Sequence, residues 1–288
     1  MAVPGSGTSA DPYRVSNWDE FAYAVQQTNN YTNLMCDIIA PPNSVNLDMQ
    51  NLSLLDGKGY SIIGLSCESG YCLSTGSLGG SVEKSRTIQN VNFTNIHMNG
   101  GGVFLHMWAR WQNCNTYYNN LCFSGVFETG TLFNDKSHDY GSSFNANQLG
   151  INIEAYNSDF AITKIENPAG DRINGTFQNV NAKITYMNCS PSVQLFGSNS
   201  YRRTLKDSLL ELEIPTDETK LNIGATLNNC CIIGYGSGVI VTNASGVNIV
   251  ENTLPLETTL TNVYSVSTAD MKNAQTLRDD YGFPIGVD

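Results

Sequence analysis

Short apolar runs, broken by Asn and Gly, recur along most of the chain. Residues 86–115 show the pattern clearly, because apolar positions there alternate with Asn and a glycine run then leads into a second apolar stretch. Such runs between turn-forming residues are typical of β-strands. Strand signals continue from about residue 35 to residue 266 without an intervening helical pattern, which argues against a βαβ topology.

An apolar residue followed two places later by Asn also recurs in this region. The copies are Phe93-Thr-Asn95, Trp111-Gln-Asn113, Phe177-Gln-Asn179, Tyr186-Met-Asn188 and Leu227-Asn-Asn229. Asn tolerates the left-handed backbone conformation and therefore suits a tight corner, and stacked amides can form ladders. These features predict an all-β fold, a right-handed parallel β-helix with rungs of roughly 20 residues, and leave a β-sandwich as the alternative.

An amphipathic helix is predicted at each end of the strand region. Ser16 and Asp19 have the spacing of a capping box before the first, and Ser267 and Asp270 before the second. The predicted organisation is a flexible arm over residues 1–14, a β-helix with its capping helix over 15–266, and a C-terminal helix and tail over 267–288.

Composition narrows the classes of function. Only 14% of the 288 residues are charged and the net charge is -11, so binding to nucleic acid or to an anionic membrane is not expected. No apolar run is long enough for a membrane span, and no signal peptide is recognised at the N-terminus. The eight cysteines form no CxxC pair, so we expect free thiols and neither a metal nor a cofactor.

The N-terminal part of the chain resembles pectate-lyase-like β-helix proteins. The resemblance rests on Val15-Ser-Asn-Trp-Asp-Glu-Phe-Ala-Tyr-Ala-Val25, on Asp37-Ile-Ile39 and on Leu55-Asp-Gly-Lys-Gly-Tyr-Ser-Ile62. In that family a capping helix leads into the first rungs and a DGxG turn. The resemblance implies the fold, which hosts many functions. The catalytic motifs of polygalacturonases and pectate lyases are not found in this chain.

A second resemblance is to bacteriophage virion proteins of the head-fibre, capsid-decoration and tail-spike types. It rests on the short N-terminal arm, a β-helix body without enzyme motifs, and the tail at residues 267–285. It implies a structural protein of the virion that is assembled in the bacterial cytoplasm. It also implies a homotrimer that contacts other virion proteins through the arm and can contact host-surface polysaccharide.

The best pair of candidate catalytic groups is Glu211 and Glu213. Residues two apart on a strand share a face and lie about 7 Å apart, within the range of an inverting glycosidase pair. The simpler interpretation is two solvated carboxylates on an exposed strand. This pair keeps a polysaccharide lyase or glycoside hydrolase as the alternative function, while the sequence favours a non-enzymatic protein.

Four aromatic residues are the candidate ligand-binding residues, because aromatic rings on a sheet face can stack on sugars. They are Trp108, Trp111, Tyr117 and Tyr118. Packing in the core or at a subunit interface is the competing explanation for these side chains. The leading hypothesis is therefore a virion structural protein whose surface can contact glycans.

Overall fold

The computed structural model is built mostly of strands. It describes residues 2–28, 30–43, 45–77, 85–100, 102–109, 115–137, 143–157, 159–165, 174–187, 189, 195–196, 203–213, 221–222, 225–235, 239–240, 247–250 and 264–266. The elements are α1 (Trp18–Gln26), β1 (Tyr13–Val15), β2 (Asn30–Leu34), β3 (Ile38–Ile39), β4 (Leu47–Asp48), β5 (Leu52–Asp56), β6 (Ser61–Ile63), β7 (Ser66–Cys67), β8 (Tyr71–Ser77), β9 (Arg86–Met98), β10 (Val103–Ala109), β11 (Asn115–Phe127), β12 (Thr131–Ser137), β13 (Ser143–Ala155), β14 (Thr163–Ile165), β15 (Asn174–Tyr186), β16 (Arg203–Glu213), β17 (Leu221–Asn222), β18 (Thr226–Tyr235), β19 (Val239–Ile240), β20 (Val247–Val250) and β21 (Tyr264–Val266). The predicted C-terminal helix lies outside these described residues.

The strands stack in parallel into a solenoid. The main sheet runs β1-β2-β5-β9-β11-β13-β15-β16-β18-β20-β21, and a five-stranded sheet runs β4-β8-β10-β12-β14 beside it. Pairing between successive passes of the chain is parallel in both sheets. The parallel β-helix prediction is therefore confirmed, and the β-sandwich alternative is excluded.

The central rungs are longer than the roughly 20 residues expected for a solenoid rung. Arg86 pairs with Thr116, Thr116 with Phe144, Phe144 with Gly175, and Gly175 with Arg203, at intervals of 30, 28, 31 and 28 residues. Each of these rungs includes a long strand of the main sheet, and several also pass through the five-stranded sheet. The predicted motif copies are irregularly spaced because only some of them fall at the corner that each rung repeats.

Helix α1 covers the first rungs. Asn17 caps it, because its side-chain oxygen accepts a hydrogen bond from the Glu20 backbone N–H at 3.0 Å. The Glu20 carboxylate accepts a hydrogen bond in return from the Ser16 backbone N–H at 2.8 Å. The prediction of Ser16 as N-cap was wrong by one residue, because the side-chain oxygen that accepts from the N–H three places on belongs to Asn17. The Glu20 carboxylate binds the N–H of Ser16, the residue before the cap, and not that of the cap itself as in a capping box. The buried face of the helix consists of Phe21, Ala24 and Val25.

The N-terminal segment corrects a second expectation, since it folds against the solenoid instead of forming a flexible arm. The Arg14 N–H donates to the Pro4 carbonyl at 2.8 Å, which closes residues 4–14 into a loop. The Tyr31 N–H donates to the Gly7 carbonyl at 2.9 Å, and β1 pairs in parallel with β2. These backbone hydrogen bonds make the segment the first rung of the sheet.

Aromatic rings stack along the solenoid interior. The rings of Phe93 and Phe123 are stacked with centroids 5.4 Å apart, and Phe104 and Phe133 each pack edge-on against Phe123. All four side chains are almost completely buried. The stack continues through Phe144, Phe177 and Phe196, with successive centroids 5.0 and 5.1 Å apart. Consecutive rungs are thereby joined through one continuous apolar core.

A row of left-handed residues bends each long strand between two faces of the solenoid. The residues of this corner row are Asn90, Asn120, Gln148, Asn179 and Asp207, with φ between 48° and 58°. The residue two places before each corner and the residue after it are buried. Along a regular strand, buried positions are two residues apart, but across each corner they are three apart. One left-handed residue therefore shifts the alternation by one position and turns the chain, while the buried residues on either side of it stay inside.

The predicted corners agree with this row in part. Asn179 belongs to it with φ 55°, and Asn95 has φ 54° at a second bend within β9. Asn229 lies in β18 at the position opposite Asp207 of the row, since Lys206 pairs with Asn228 and Ser208 with Cys230. Asn113 and Asn188 lie outside the described residues.

Amide side chains connect the corners of neighbouring rungs. The Asn120 amide donates to the Asn90 side-chain oxygen at 2.9 Å, and the Asn90 amide donates to Asp56 Oδ1 at 3.0 Å. Asp56 Oδ2 also accepts from Lys58 Nζ at 2.6 Å and from Gln89 Nε2 at 3.1 Å. Burial raises the pKa of Asp56, but these hydrogen bonds outweigh it and hold the pKa below its usual value. The ladder therefore ends on an ionised carboxylate.

Candidate functional site

The outer side of the main sheet, before the corner row, carries uncharged polar side chains. Its outward positions on β9, β11, β13 and β15 are Thr87, Gln89, Asn115, Tyr117, Asn119, Ser143, Asn145, Asn147, Thr176 and Gln178. All of these side chains are partly or fully accessible, and none carries a charge. We call this surface the amide face. It offers hydrogen-bond donors and acceptors across neighbouring strands about 4.8 Å apart.

Tyr117 is the aromatic residue within the amide face. It is 36% exposed, and it pairs in register with Thr87 on one side and Asn145 on the other. Beside it, the Asn145 amide donates to Ser143 Oγ at 2.8 Å, and Ser143 Oγ donates to the Asn115 side-chain oxygen at 2.7 Å. These bonds fix the orientation of two carboxamides next to an exposed ring. An aromatic surface flanked by oriented amides can stack on a sugar ring and hydrogen-bond its hydroxyls.

The structure separates two of the predicted platform residues, Tyr117 and Tyr118. Tyr118 is fully buried, and its ring packs 5.2 Å from Phe133 and 5.1 Å from Phe144. Side chains alternate along a strand, so Tyr117 and Tyr118 must face opposite ways. Tyr118 is therefore unavailable to a surface ligand.

The two tryptophans are only partly described. The backbone of Trp108 lies in β10 in register with Ser77 and Lys136, and its side chain lies outside the described part. Trp111 also lies outside it. Among the residues that the structure describes, Tyr117 is thus the predicted platform residue that lies at the surface.

Glu211 and Glu213 lie on the same outer side of β16, as the alternation predicted. The Lys183 ammonium lies 3.3 Å from a Glu211 carboxylate oxygen. The Thr185 hydroxyl donates to Glu213 at 3.3 Å. Each carboxylate therefore has a partner on the neighbouring strand β15, as expected of solvated surface side chains. A catalytic role for the pair stays a prediction.

A polar row on the five-stranded sheet was not singled out from the sequence. His106 is almost completely buried and stacks on the ring of Tyr71, with centroids 3.7 Å apart. Its Nδ1 lies 3.3 Å from Ser74 Oγ, and it pairs in register with the buried Asn134. Because the rungs are unequal, only the register reveals that residues 74, 106 and 134 are neighbours.

Within the described ranges, no three His, Cys, Asp or Glu side chains come together as metal ligands. No helix in the described part of the chain is long and apolar enough to cross a membrane.

Comparison with known proteins shows likeness at the level of the fold. No protein-family model and no curated protein matches the chain. Among solved structures, L. reuteri 53608 SRRP, a serine-rich repeat protein, is 15% identical with a TM-score of 0.52, covering 88% of this chain and 95% of that one. A Bacteroides ovatus chain that carries the name of an immunoglobulin A1 protease is 14% identical with a TM-score of 0.42, covering 95% and 89%. The first likeness shows a shared solenoid fold alone, and the second supports no argument.

Proposed function

We propose that the protein is a non-enzymatic structural protein of a bacteriophage virion, of the head-fibre, capsid-decoration or tail-spike type. In this proposal its solenoid is a stiff body that presents the amide face to a glycan of the host surface. The observation that carries the proposal is the exposed ring of Tyr117 between oriented, uncharged amides.

The character of the amide face favours a neutral glycan. A sugar ring presents C–H groups on its face and hydroxyls around its edge. The Tyr117 ring can stack on the C–H groups, and the carboxamides of Asn115 and Asn145 can hydrogen-bond the hydroxyls. The net charge of -11 disfavours strongly acidic polymers. A rigid sheet also holds these side chains in place before binding, which lowers the entropy cost of association.

Replacing Tyr117 tests the binding role. We expect the wild-type protein to bind neutral oligosaccharides on a glycan array, and Tyr117→Ala to weaken that binding roughly twofold to tenfold, because one aromatic stacking contact is worth about 0.5–1.5 kcal/mol. Tyr117→Phe keeps the ring and should retain most of the affinity.

Tyr156→Ala is the matched control, since Tyr156 is 44% exposed just beyond β13 and outside the amide face. Equal binding by Tyr117→Ala and wild type would contradict the proposal that the amide face binds the glycan. Release of reducing ends or unsaturated sugars, lost in Glu211→Gln or Glu213→Gln, would instead support the polysaccharide lyase or hydrolase alternative.

A homotrimer belongs to the same proposal, together with contacts to other virion proteins through the N-terminal end. Because residues 4–14 are folded as part of the first rung, that end offers a shaped surface in place of a loose tether. We expect light scattering to give a trimer mass at micromolar concentration. A stable monomer under those conditions would contradict the trimer and leave the glycan test unaffected.

A further inference from the structure

Four outward side chains of the amide face lie at the corners of a small rectangle on β11 and β13. Asn115 and Tyr117 belong to β11, and their register partners Ser143 and Asn145 belong to β13. Neighbouring strands are about 4.8 Å apart, and successive positions on one face of a strand are about 6.6 Å apart. The two carboxamides therefore lie on one diagonal of the rectangle, and the Tyr117 ring and the Ser143 hydroxyl lie on the other.

The Ser143 hydroxyl gives the outer ends of the two carboxamides opposite character. It accepts a hydrogen bond from Asn145 Nδ2 at 2.8 Å and donates one to the Asn115 side-chain oxygen at 2.7 Å. The end of Asn145 that points away from Ser143 is therefore its oxygen, an acceptor, and the outer end of Asn115 is its NH₂ group, a donor. Within the described part of the chain, no other group is bonded to either carboxamide.

The chemistry of the hydroxyl requires this pairing of one donor with one acceptor. A hydroxyl has one proton, so Ser143 must donate to one carboxamide and accept from the other. Turning both carboxamides over would reverse the direction of the two hydrogen bonds and would still leave one outer donor and one outer acceptor. The rectangle thus offers a ligand one donor and one acceptor at two separate points beside an exposed ring.

We propose that this rectangle recognises the acetamido group of N-acetylated amino sugars. The inference rests on the proposed function and narrows its glycan to one chemical class. An acetamido group has one N–H donor and one carbonyl acceptor, which point in opposite directions from a planar trans amide. Its N–H bonds the Asn145 oxygen, its carbonyl bonds the Asn115 NH₂ group, and its methyl group packs on the Tyr117 ring. A sugar hydroxyl carries its donor and its acceptor on a single oxygen, so it satisfies two separate points less well.

The surroundings of the rectangle favour the same ligand. The acetamido group is uncharged, and so are the outward side chains of the amide face. Asn115 and Asn145 are only partly exposed, which shields their hydrogen bonds from competing water. Each carboxamide is already held by Ser143, so little rotamer freedom is lost when the ligand binds.

Matched trisaccharides and the full-length wild-type protein test this assignment. One member of each pair has an acetamido group on carbon 2 of every sugar, and the other has a hydroxyl there. The pairs are N-acetylglucosamine with glucose, and N-acetylgalactosamine with galactose. We expect titration calorimetry to show roughly tenfold tighter binding of the acetamido member in at least one pair, because it makes two further hydrogen bonds.

The same measurement separates failure of this inference from failure of the proposed function. Equal affinities within both pairs, still weakened by Tyr117→Ala, would overturn the acetamido assignment and leave glycan binding by the amide face intact. Binding confined to glycans without acetamido groups would have the same meaning. If no glycan bound at all, both would be overturned.

Two variants of unchanged shape, Asn115→Asp and Asn145→Asp, remove the outer donor. A carboxylate only accepts hydrogen bonds, so Ser143 must donate to it, and both outer ends of the rectangle are then acceptors. We expect either change to abolish the preference for the acetamido member of a pair. An unchanged preference in both variants would overturn the assignment.

Asn152→Asp is the matched control, because it adds the same charge at an exposed position of β13 beyond the corner at Gln148. It lies outside the amide face and should leave the preference unchanged. Ser143→Ala tests the positioning role of the hydroxyl. Without that hydroxyl the carboxamides are no longer held in opposite directions, so the preference should fall while the hydroxyl-bearing trisaccharides bind as before. A preference kept in full by Ser143→Ala would contradict the arrangement described.

Discussion

Phe123→Ala is expected to lower the free energy of unfolding by about 3–5 kcal/mol, the range seen when a buried Phe is truncated to Ala in a packed core. Phe123 contacts three other buried rings, those of Phe93, Phe104 and Phe133. Alanine leaves a cavity that these rigid rings cannot fill, because each of them is anchored on its own strand. Urea denaturation followed by circular dichroism, at an unchanged m-value, gives the difference directly.

Tyr117→Ala is the stability control for this experiment, as it removes an aromatic ring from the opposite side of the same strand β11. Because Tyr117 points outward, its truncation should cost no more than about 0.5 kcal/mol. Similar losses for the two variants would mean that the ring stack does not join the rungs as described. Such a result would also place Phe123 outside the cooperative core.

The corner row shows how far the sequence predicts the fold. The apolar-x-Asn motif predicts Asn179 and, by register, Asn229, and the row also contains Ile88-Gln-Asn90 and Tyr118-Asn-Asn120, which obey the same motif. Gln148 and Asp207 fill the same position with other residue types. A motif that admits Asn, Gln or Asp would have found the whole row. The left-handed conformation favours Asn without requiring it, so a strict Asn pattern was too narrow.

The candidate site was less predictable than the fold. Side chains alternate along β11, so one of Tyr117 and Tyr118 must face outward and the other inward. Since both are aromatic, the sequence does not show which of them is exposed. The neighbours of Tyr117 come from the next rung, where Asn145 stands 28 residues later. Rungs of unequal length hide that interval in the sequence. Only the register of the sheet shows which amides surround the ring.

Gly57→Ala is expected to destabilise the protein by roughly 1–3 kcal/mol, toward the upper end because the clash is with backbone. A Cβ at Gly57 would lie 2.3 Å from the Asn90 carbonyl oxygen and 2.8 Å from the Val91 Cα. These atoms cannot withdraw, since the same Asn90 oxygen accepts a hydrogen bond from the Gly59 N–H at 2.9 Å. The glycine of the DGxG turn is thus needed for close contact between rungs.

Gly150→Ala is the matched control for this substitution. Like Gly57, Gly150 does not adopt the left-handed conformation. Its added Cβ would have one tight contact, with the Cys122 sulfur at 3.1 Å, and would lie at ordinary distances of 3.8 and 3.9 Å from the Cβ and Cα of Cys122. That sulfur belongs to an exposed side chain that can rotate away, so the cost should stay within about 0.5 kcal/mol. The urea midpoints of unfolding of the two variants measure this difference, and we expect the midpoint of Gly57→Ala to be the lower of the two. If Gly57→Ala were as stable as Gly150→Ala, the turn would not rest on the Asn90 corner, and the first rungs would be held by α1 and the apolar interior alone.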